Sequence, residues 1–233
     1  MFKILLIAGH GDGDPGATGF DYKEADLTRE MVNLTKPYLE GCAEVDIASP
    51  NKNWYDYICK KKNSFNFKPY NYVLEIHFNA CVKDFKGNGY TTGTEAYVTY
   101  AEDGTTVEEG IVKNISALGL KNRGVIKKNW SLINYIKKQG ISSALLEICF
   151  IDDADDMAIY KAKKEEIAKA IAKGIIDGFK LTKPVDELTE ACNLLAEKGI
   201  INSPDYWAKG TGYSEDNIKL LIKKFAAYVK GVG

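Results

Sequence analysis

With 233 residues, 45% of them hydrophobic and 27% charged, the chain has the composition of an ordinary globular protein, long enough for one main domain and a small second one. Its 31 basic and 32 acidic residues give a net charge of −1, which removes any electrostatic case for nucleic acid or an anionic membrane surface and leaves a neutral or mixed partner. No stretch approaches the roughly 20 apolar residues of a membrane span, and the apolar start Ile4 to Ala8 is too short for a signal-peptide core, so the chain is expected to be made without a secretory signal.

Ile4 to Ala8 reads as a short buried strand that breaks into a Gly-rich loop and delivers His10 at its C-terminal end, where open α/β sheets bind ligands. The loop from Gly11 to Gly16 also spells G-x-G-x-x-G, the dinucleotide fingerprint. Pro15, Gly19 and Asp21 delay the following helix to about Tyr22, however, and Asp12 and Asp14 repel a pyrophosphate, so that reading is set aside. The helix from Tyr22 to Tyr38 places Glu24, Leu27, Met31 and Leu34 on one face. A strand at Ala43 to Ile47 and a helix at Trp54 to Phe65 follow, and then the apolar run Tyr72 to Ile76 presents the second histidine, His77. The loop Gly87 to Gly93 leads into the alternating segment Thr94 to Val98, a half-exposed strand. Thr106 to Leu118 is a helix stopped by Gly119, the segment with Asn122-Arg123-Gly124 is polar, and Trp130 to Tyr135 carries no assignable period. The strand Ala144 to Phe150 holds Glu147, and a long helix with Ile167, Ile171, Ile175 and Phe179 on one face closes the unit. Strands alternating with helices predict an α/β fold, a twisted and mostly parallel sheet flanked by helices. Lys183-Pro184 marks the boundary between a domain of residues 1–183 and a small all-α domain of residues 184–233. The latter has amphipathic helices at Val185 to Gly199 and Tyr213 to Val229, with a short helix capped by Ser203-Pro204 between them.

Histidine is scarce, since His10 and His77 are the only two, and both follow apolar strands. Glu24 on a buried helix face needs a partner, and a cation shared with two imidazoles supplies one. Two histidines and a glutamate, with a fourth position open for water, make a catalytic zinc arrangement. Each residue alone has a plainer reading, Glu24 with Asp21 as a capping box and each histidine as a hydrogen-bonded core residue. It is the coincidence of three at element ends that favours the metal. Glu147 inside an apolar strand is costly unless it is paired or has a raised pKa, and both conditions suit a general base; a register turning it outward is the alternative. Five cysteines, Cys42, Cys59, Cys81, Cys149 and Cys192, are an odd number without C-x-x-C and read as the reduced thiols of a cytosol. Cys149 has no histidine left as a base and reads as core filling.

Six stretches taken together carry a resemblance: Ala8-Gly9-His10-Gly11 with Asp14-Pro15-Gly16-Ala17; Glu24; Ile76-His77-Phe78-Asn79-Ala80; Gly93-Thr94-Glu95-Ala96-Tyr97; Asn122-Arg123-Gly124-Val125; and Leu145-Leu146-Glu147-Ile148-Cys149-Phe150. In order and spacing, over about residues 1 to 180, they resemble the zinc-dependent N-acetylmuramoyl-L-alanine amidases of the amidase-3 type. The resemblance implies one zinc ion per chain held by His10, Glu24 and His77, with Glu147 as catalytic glutamate. The bond cut would be the amide between the lactyl group of N-acetylmuramic acid and the L-alanine of the peptidoglycan stem. Asn79, Glu95 and Arg123 match family positions as groups that support the ligands or touch substrate. Cys149 and Asp152-Asp153 depart from the family pattern on the rim after Glu147. An amidase without a signal peptide and with a small C-terminal appendix resembles a phage endolysin, which waits in the host bacterial cytoplasm and reaches the wall through a holin. A chromosomal or sporulation autolysin of the same chemistry and a non-catalytic muropeptide-binding module are the alternatives. For the C-terminal domain the favoured expectation is a module for a secondary wall polymer, with Tyr206, Trp207 and Tyr213 as stacking residues. A structural clasp or a dimerisation element would instead bury them together with Leu194, Ile200, Leu221 and Phe225. Six basic against seven acidic residues there do not decide.

Overall fold

The computed structural model describes residues 1–183 and 187–231. The chain divides into two compact units, Met1–Thr182 and Lys183–Gly233. In the first, the strands are β1 (Lys3–Ala8), β2 (Thr18–Gly19), β3 (Tyr22–Lys23), β4 (Glu44–Ile47), β5 (Tyr72–Asn79), β6 (Thr94–Val98), β7 (Asn122–Lys127) and β8 (Ser142–Phe150). The helices are α1 (Glu24–Leu39), α2 (Thr106–Ser116), α3 (Ser131–Lys137) and α4 (Ala154–Phe179). Six strands form one sheet in the order β4-β1-β5-β8-β6-β7, and β2 pairs with β3 in a separate hairpin. β4, β1, β5 and β8 run parallel, β6 is antiparallel to β8, and β7 is parallel to β6. The sheet is therefore mostly parallel and flanked by helices, as the alternation of elements requires.

Strand periodicity sorts the side chains into two layers. Ile4, Leu6, Leu74, Ile76, Ala144 and Leu146 join a large apolar core with residues of α1, α2 and α4. Leu5, Ile7 and Val73 face the other way, toward a smaller core built with Trp54, Ile58, Phe67, Leu132 and Ile136. That second layer is thin because the segment expected as a helix from Trp54 to Phe65 is only a short helical stretch that continues as a π-helical turn over Asp56–Lys60. Beyond it the chain runs irregularly and lays Phe65 against Trp54 and Phe67, with ring centroids 5.0 and 4.7 Å apart.

Other expectations need correction. α1 starts at Glu24, two residues late, because Tyr22 and Lys23 are held in the hairpin with Thr18 and Gly19. His77 does not follow β5 but lies inside it, since the strand continues through Phe78 and Asn79. β6 is not half-exposed: it sits between β8 and β7 with Thr94, Glu95 and Ala96 buried. The polar Asn122 segment is the edge strand β7, where side chains need no apolar partner, and the unassigned Trp130 to Tyr135 becomes α3 with Leu132 and Ile133 buried.

In the second unit the helices are α5 (Glu187–Glu197), α6 (Pro204–Ala208) and α7 (Glu215–Val229). The expected starts and the linker proline fall partly on residues 184–186, outside the described residues. α7 opens two residues after Tyr213 because Ser214 is its N-cap, the hydroxyl accepting from the Asn217 amide at 3.2 Å. Its core is small: Cys192, Ile200 and Ile201 are buried, with Leu195, Trp207 and Leu221 packed against them.

Candidate active site

The Gly-rich loop after β1 turns back on itself through a bridge between Gly11 and Asp14, their amides and carbonyls exchanging bonds of 2.8 and 3.2 Å. His10 sits there at φ 60°, a conformation costly for a side-chain-bearing residue. No helix opens within the G-x-G-x-x-G stretch, so the loop offers no phosphate cradle. Two glycines are fixed by close approach. A Cβ on Gly9 would lie 2.3–2.6 Å from the His77 ring, and one on Gly16 would lie 2.7 Å from Glu24 Oε2.

Glu24, the first residue of α1, stands between the two imidazoles. Its Oε2 lies 3.1 Å from His10 Nε2 and its Oε1 lies 2.9 Å from His77 Nδ1. The backbone amides of Ala17 and Phe78 donate to the same carboxylate at 2.9 and 3.0 Å. Burial alone would raise the Glu24 carboxyl, yet the hydrogen bonds from His10 and His77 outweigh it and hold the group well below the ordinary carboxylate range. The two rings meet edge to face with centroids 4.9 Å apart. One donor atom from each of His10, Glu24 and His77 falls within 4.8 Å of the other two, a set of two imidazole nitrogens and one carboxylate oxygen that fits a zinc ion. The outward nitrogen of each ring is also occupied: Asp14 Oδ2 lies 2.9 Å from His10 Nδ1, and Glu75 Oε1 lies 3.1 Å from His77 Nε2. Carboxylates behind ligating histidines are what a zinc site uses to fix ring orientation.

Glu147 on β8 is in register with His77 on β5 on one side and with Glu95 on β6 on the other. The two glutamates differ in partnership. Glu95 accepts from Arg123 Nε and Asn79 Nδ2, both at 2.7 Å, and from the Tyr97 hydroxyl at 2.9 Å. The Oε2 of Glu147 is buried without a hydrogen-bond partner. Burial, reinforced by Glu24, Glu95 and Glu75 against the opposing pull of His77, pushes its pKa up to about 8. Glu147 lines a cleft with His10, His77, Glu75, Tyr55 and Trp130.

The structure thus brings together His10, Glu24, His77 and Glu147, and sets Asn79 and Arg123 around Glu95 beside them. Asp14, Glu75, Asn53 and Trp130 are cleft residues that the sequence reading passed over. For Glu75 the signal existed: it interrupts an apolar run as Glu147 does, and it alternates with His77 on the same strand face. Asp152 and Asp153, expected as rim residues bearing on substrate, are instead buried anchors for the segment 81–93. Asp152 accepts from the amides of Cys81 and Lys83, and Asp153 accepts from Thr92. Cys149 is buried as core filling, and Cys42, Cys59, Cys81 and Cys149 form no disulfide.

Tyr206, Trp207 and Tyr213 pack on one another in the second unit, with centroids 4.9–5.7 Å apart. The Tyr213 hydroxyl donates to the Trp207 carbonyl, and the Tyr206 hydroxyl accepts from Asn217 Nδ2 at 3.1 Å. The hydroxyls of both tyrosines are thus engaged within the unit. Ile200 is buried, while Leu194 and Phe225 are half-exposed on the surface.

Comparison with known proteins places this geometry. A family model described as N-acetylmuramoyl-L-alanine amidase, amidase-3, matches residues 4–177. The chain belongs to that family. Among the chain's relatives, the probable autolysin PH of Staphylococcus aureus is 27% identical over 97% of this chain and 47% of its own length. The sporulation-specific N-acetylmuramoyl-L-alanine amidase of Bacillus subtilis is 29% identical over 78% of this chain and 70% of its own. The chain therefore spans about half the length of the first of these relatives. The catalytic domain of CwlV, an amidase from Bacillus (Paenibacillus) polymyxa var. colistinus, shares the fold with a TM-score of 0.62 at 22% identity, covering 78% of this chain and all of that one.

Proposed function

We propose that the chain is a zinc-dependent N-acetylmuramoyl-L-alanine amidase that hydrolyses the amide between N-acetylmuramic acid and L-alanine in peptidoglycan. The observation that carries this is the unpartnered Oε2 of Glu147 beside the His10, Glu24 and His77 donor set, in a cleft over the ends of the central strands. His10, Glu24 and His77 would hold the metal. Zinc, when bound, polarises a carbonyl and acidifies water. Glu147, whose raised pKa suits it to both taking and returning a proton near neutral pH, removes the proton from the attacking water and delivers it to the leaving amine of L-alanine. Glu95 is less suited to that work, because Arg123, Asn79 and Tyr97 already donate to it. A binding module would have no use for a buried carboxylate left without a partner.

We read the whole protein as an endolysin that waits in the host cytoplasm and reaches the wall through a holin, with residues 184–233 contacting a wall polymer. The autolysins among its relatives favour the second reading, a cell-wall autolysin of the same chemistry. Digestion of purified walls tests the reaction. Free L-alanine amino termini without new reducing sugars are expected. Reducing sugar as the main product would sink the assignment, since a glycosidase works through two carboxylates flanking an acetal.

A further inference from the structure

Glu75 has no place in the chemistry above, yet it is 4% exposed in the middle of β5. Burying an ionised carboxylate costs several kcal/mol unless it is paired. Its partner is His77, two residues on and on the same strand face, whose Nε2 lies 3.1 Å from Glu75 Oε1. The other nitrogen of that ring faces Glu24. We infer that Glu75 is a positioning residue for metal binding, one that fixes which nitrogen His77 offers. The inference rests on reading His10, Glu24 and His77 as ligands.

An imidazole that gives one lone pair to a metal must carry its hydrogen on the other nitrogen. A carboxylate oxygen accepts, so when a metal takes the Nδ1 lone pair Glu75 keeps the hydrogen on Nε2, with Nδ1 turned toward Glu24. At His10 the arrangement is reversed: Asp14 occupies Nδ1 and Nε2 faces inward. The two histidines therefore present different nitrogens, and each is assigned by its own carboxylate. The carboxylates are not equivalent. The Asp14 side chain is 43% exposed, so water can take its place against His10, whereas the Glu75 side chain is 6% exposed. The buried member is the one whose loss nothing repairs.

The experiment compares the full chain with Glu75→Ala, Glu75→Gln and Asp14→Ala. Zinc affinity is measured by competition with a chromophoric chelator, and the histidine ring nitrogens are observed by ¹⁵N NMR in the zinc-loaded proteins. Glu75→Ala should bind zinc about 10- to 100-fold more weakly, the usual effect of removing a group behind a ligating histidine. Glu75→Gln, whose amide oxygen still accepts, should fold and lose only a few-fold, and Asp14→Ala should fall below Glu75→Ala in effect. The NMR pattern of His77 should move from a protonated Nε2 to a mixture in Glu75→Ala, a change that loss of packing alone would not produce. Zinc affinity within twofold of the parent in Glu75→Ala, or an unaltered His77 pattern, overturns the assignment to Glu75. A parent chain that takes up no zinc overturns the ligand reading itself, and Glu75's role falls with it.

Discussion

The two faces of the central sheet are built from the same strands and do different things. Along β8, Ala144, Leu146 and Ile148 point into the core under α1, α2 and α4, while Leu145 and Glu147 point into the cleft. Along β5, Leu74, Ile76 and Phe78 take the first face, and Glu75 and His77 take the second. Helices cover the first face continuously. The second is covered by a π-helical turn, an irregular segment and the short helix α3, which leave a cleft over the strand ends. One residue along a strand exchanges a stabilising role for a chemical one. The polar cluster is tolerated because its cost is local: Glu24 meets four donors and Glu95 three, and within the cluster it is the Oε2 of Glu147 that is left without one.

Adjacent residues Leu146 and Glu147 put that division to its strongest test. Glu147→Gln should lower turnover by ~10²–10⁴, the contribution of a general base, without loss of melting temperature, because an amide is cheaper to bury than an unpaired carboxylate. Activity within a few-fold of the parent, measured on purified walls, would make Glu147 structural. Leu146→Ala should do the opposite, costing about 2–5 kcal/mol of stability by denaturant titration through the cavity it opens, with zinc stoichiometry retained in the folded fraction. If both variants lose stability and neither loses turnover selectively, the two faces are not separate in function.

A milder test lies at the corner where β8 enters α4. Asp156 is buried and accepts from the amides of Phe150 and Gly93 at 2.8 and 2.9 Å. Burial raises its pKa to about 6 despite those bonds. A carboxyl raised in the folded state favours the protonated form, so its contribution is full below its unfolded value of about 4 and is lost as pH rises through 6. The stability advantage of the parent over Asp156→Asn should therefore shrink between about pH 4 and pH 7, by on the order of 1 kcal/mol after solvent screening. An advantage that grows with pH would mean the amide bonds dominate and the carboxylate is at home there.

What the sequence discloses follows from how each signal arises. Apolar runs with clean edges, such as Ile4 to Ala8 and Ala144 to Phe150, announce buried strands because nothing else of that length buries both faces. Rarity made the site legible: two histidines in the whole chain and two glutamates in apolar settings leave few other roles. β7 was not legible, since an edge strand such as Asn122–Lys127 needs no apolar pattern. Nor was the end of the helix after Trp54, where the aromatic packing of Phe65 and Phe67 overrides local propensity. Asp152 and Asp153 looked like departures on the rim because a sequence cannot tell a carboxylate that meets solvent from one that collects backbone amides of segments flanking the neighbouring strands.

The weakest expected effect comes from removing residues 184–233. Both faces of the sheet, the four site residues and the anchors of segment 81–93 belong to the first unit, whose core is complete in its own side chains. The second unit buries few apolar groups and leaves Leu220, Ile222 and Phe225 at least half exposed, so it brings little independent stability. A chain of residues 1–183 should accordingly melt within a few degrees of the full chain and cleave soluble muropeptides within about twofold of it, an effect at or below the ±0.5 kcal/mol scale of surface changes. Its binding to intact walls should fall, because the exposed face of α7 and whatever wall polymer it meets are lost together. A truncated chain that precipitates would show that the second unit acts as a clasp. A truncated chain that binds and lyses intact walls as well as the parent would confine recognition to the cleft face of the sheet.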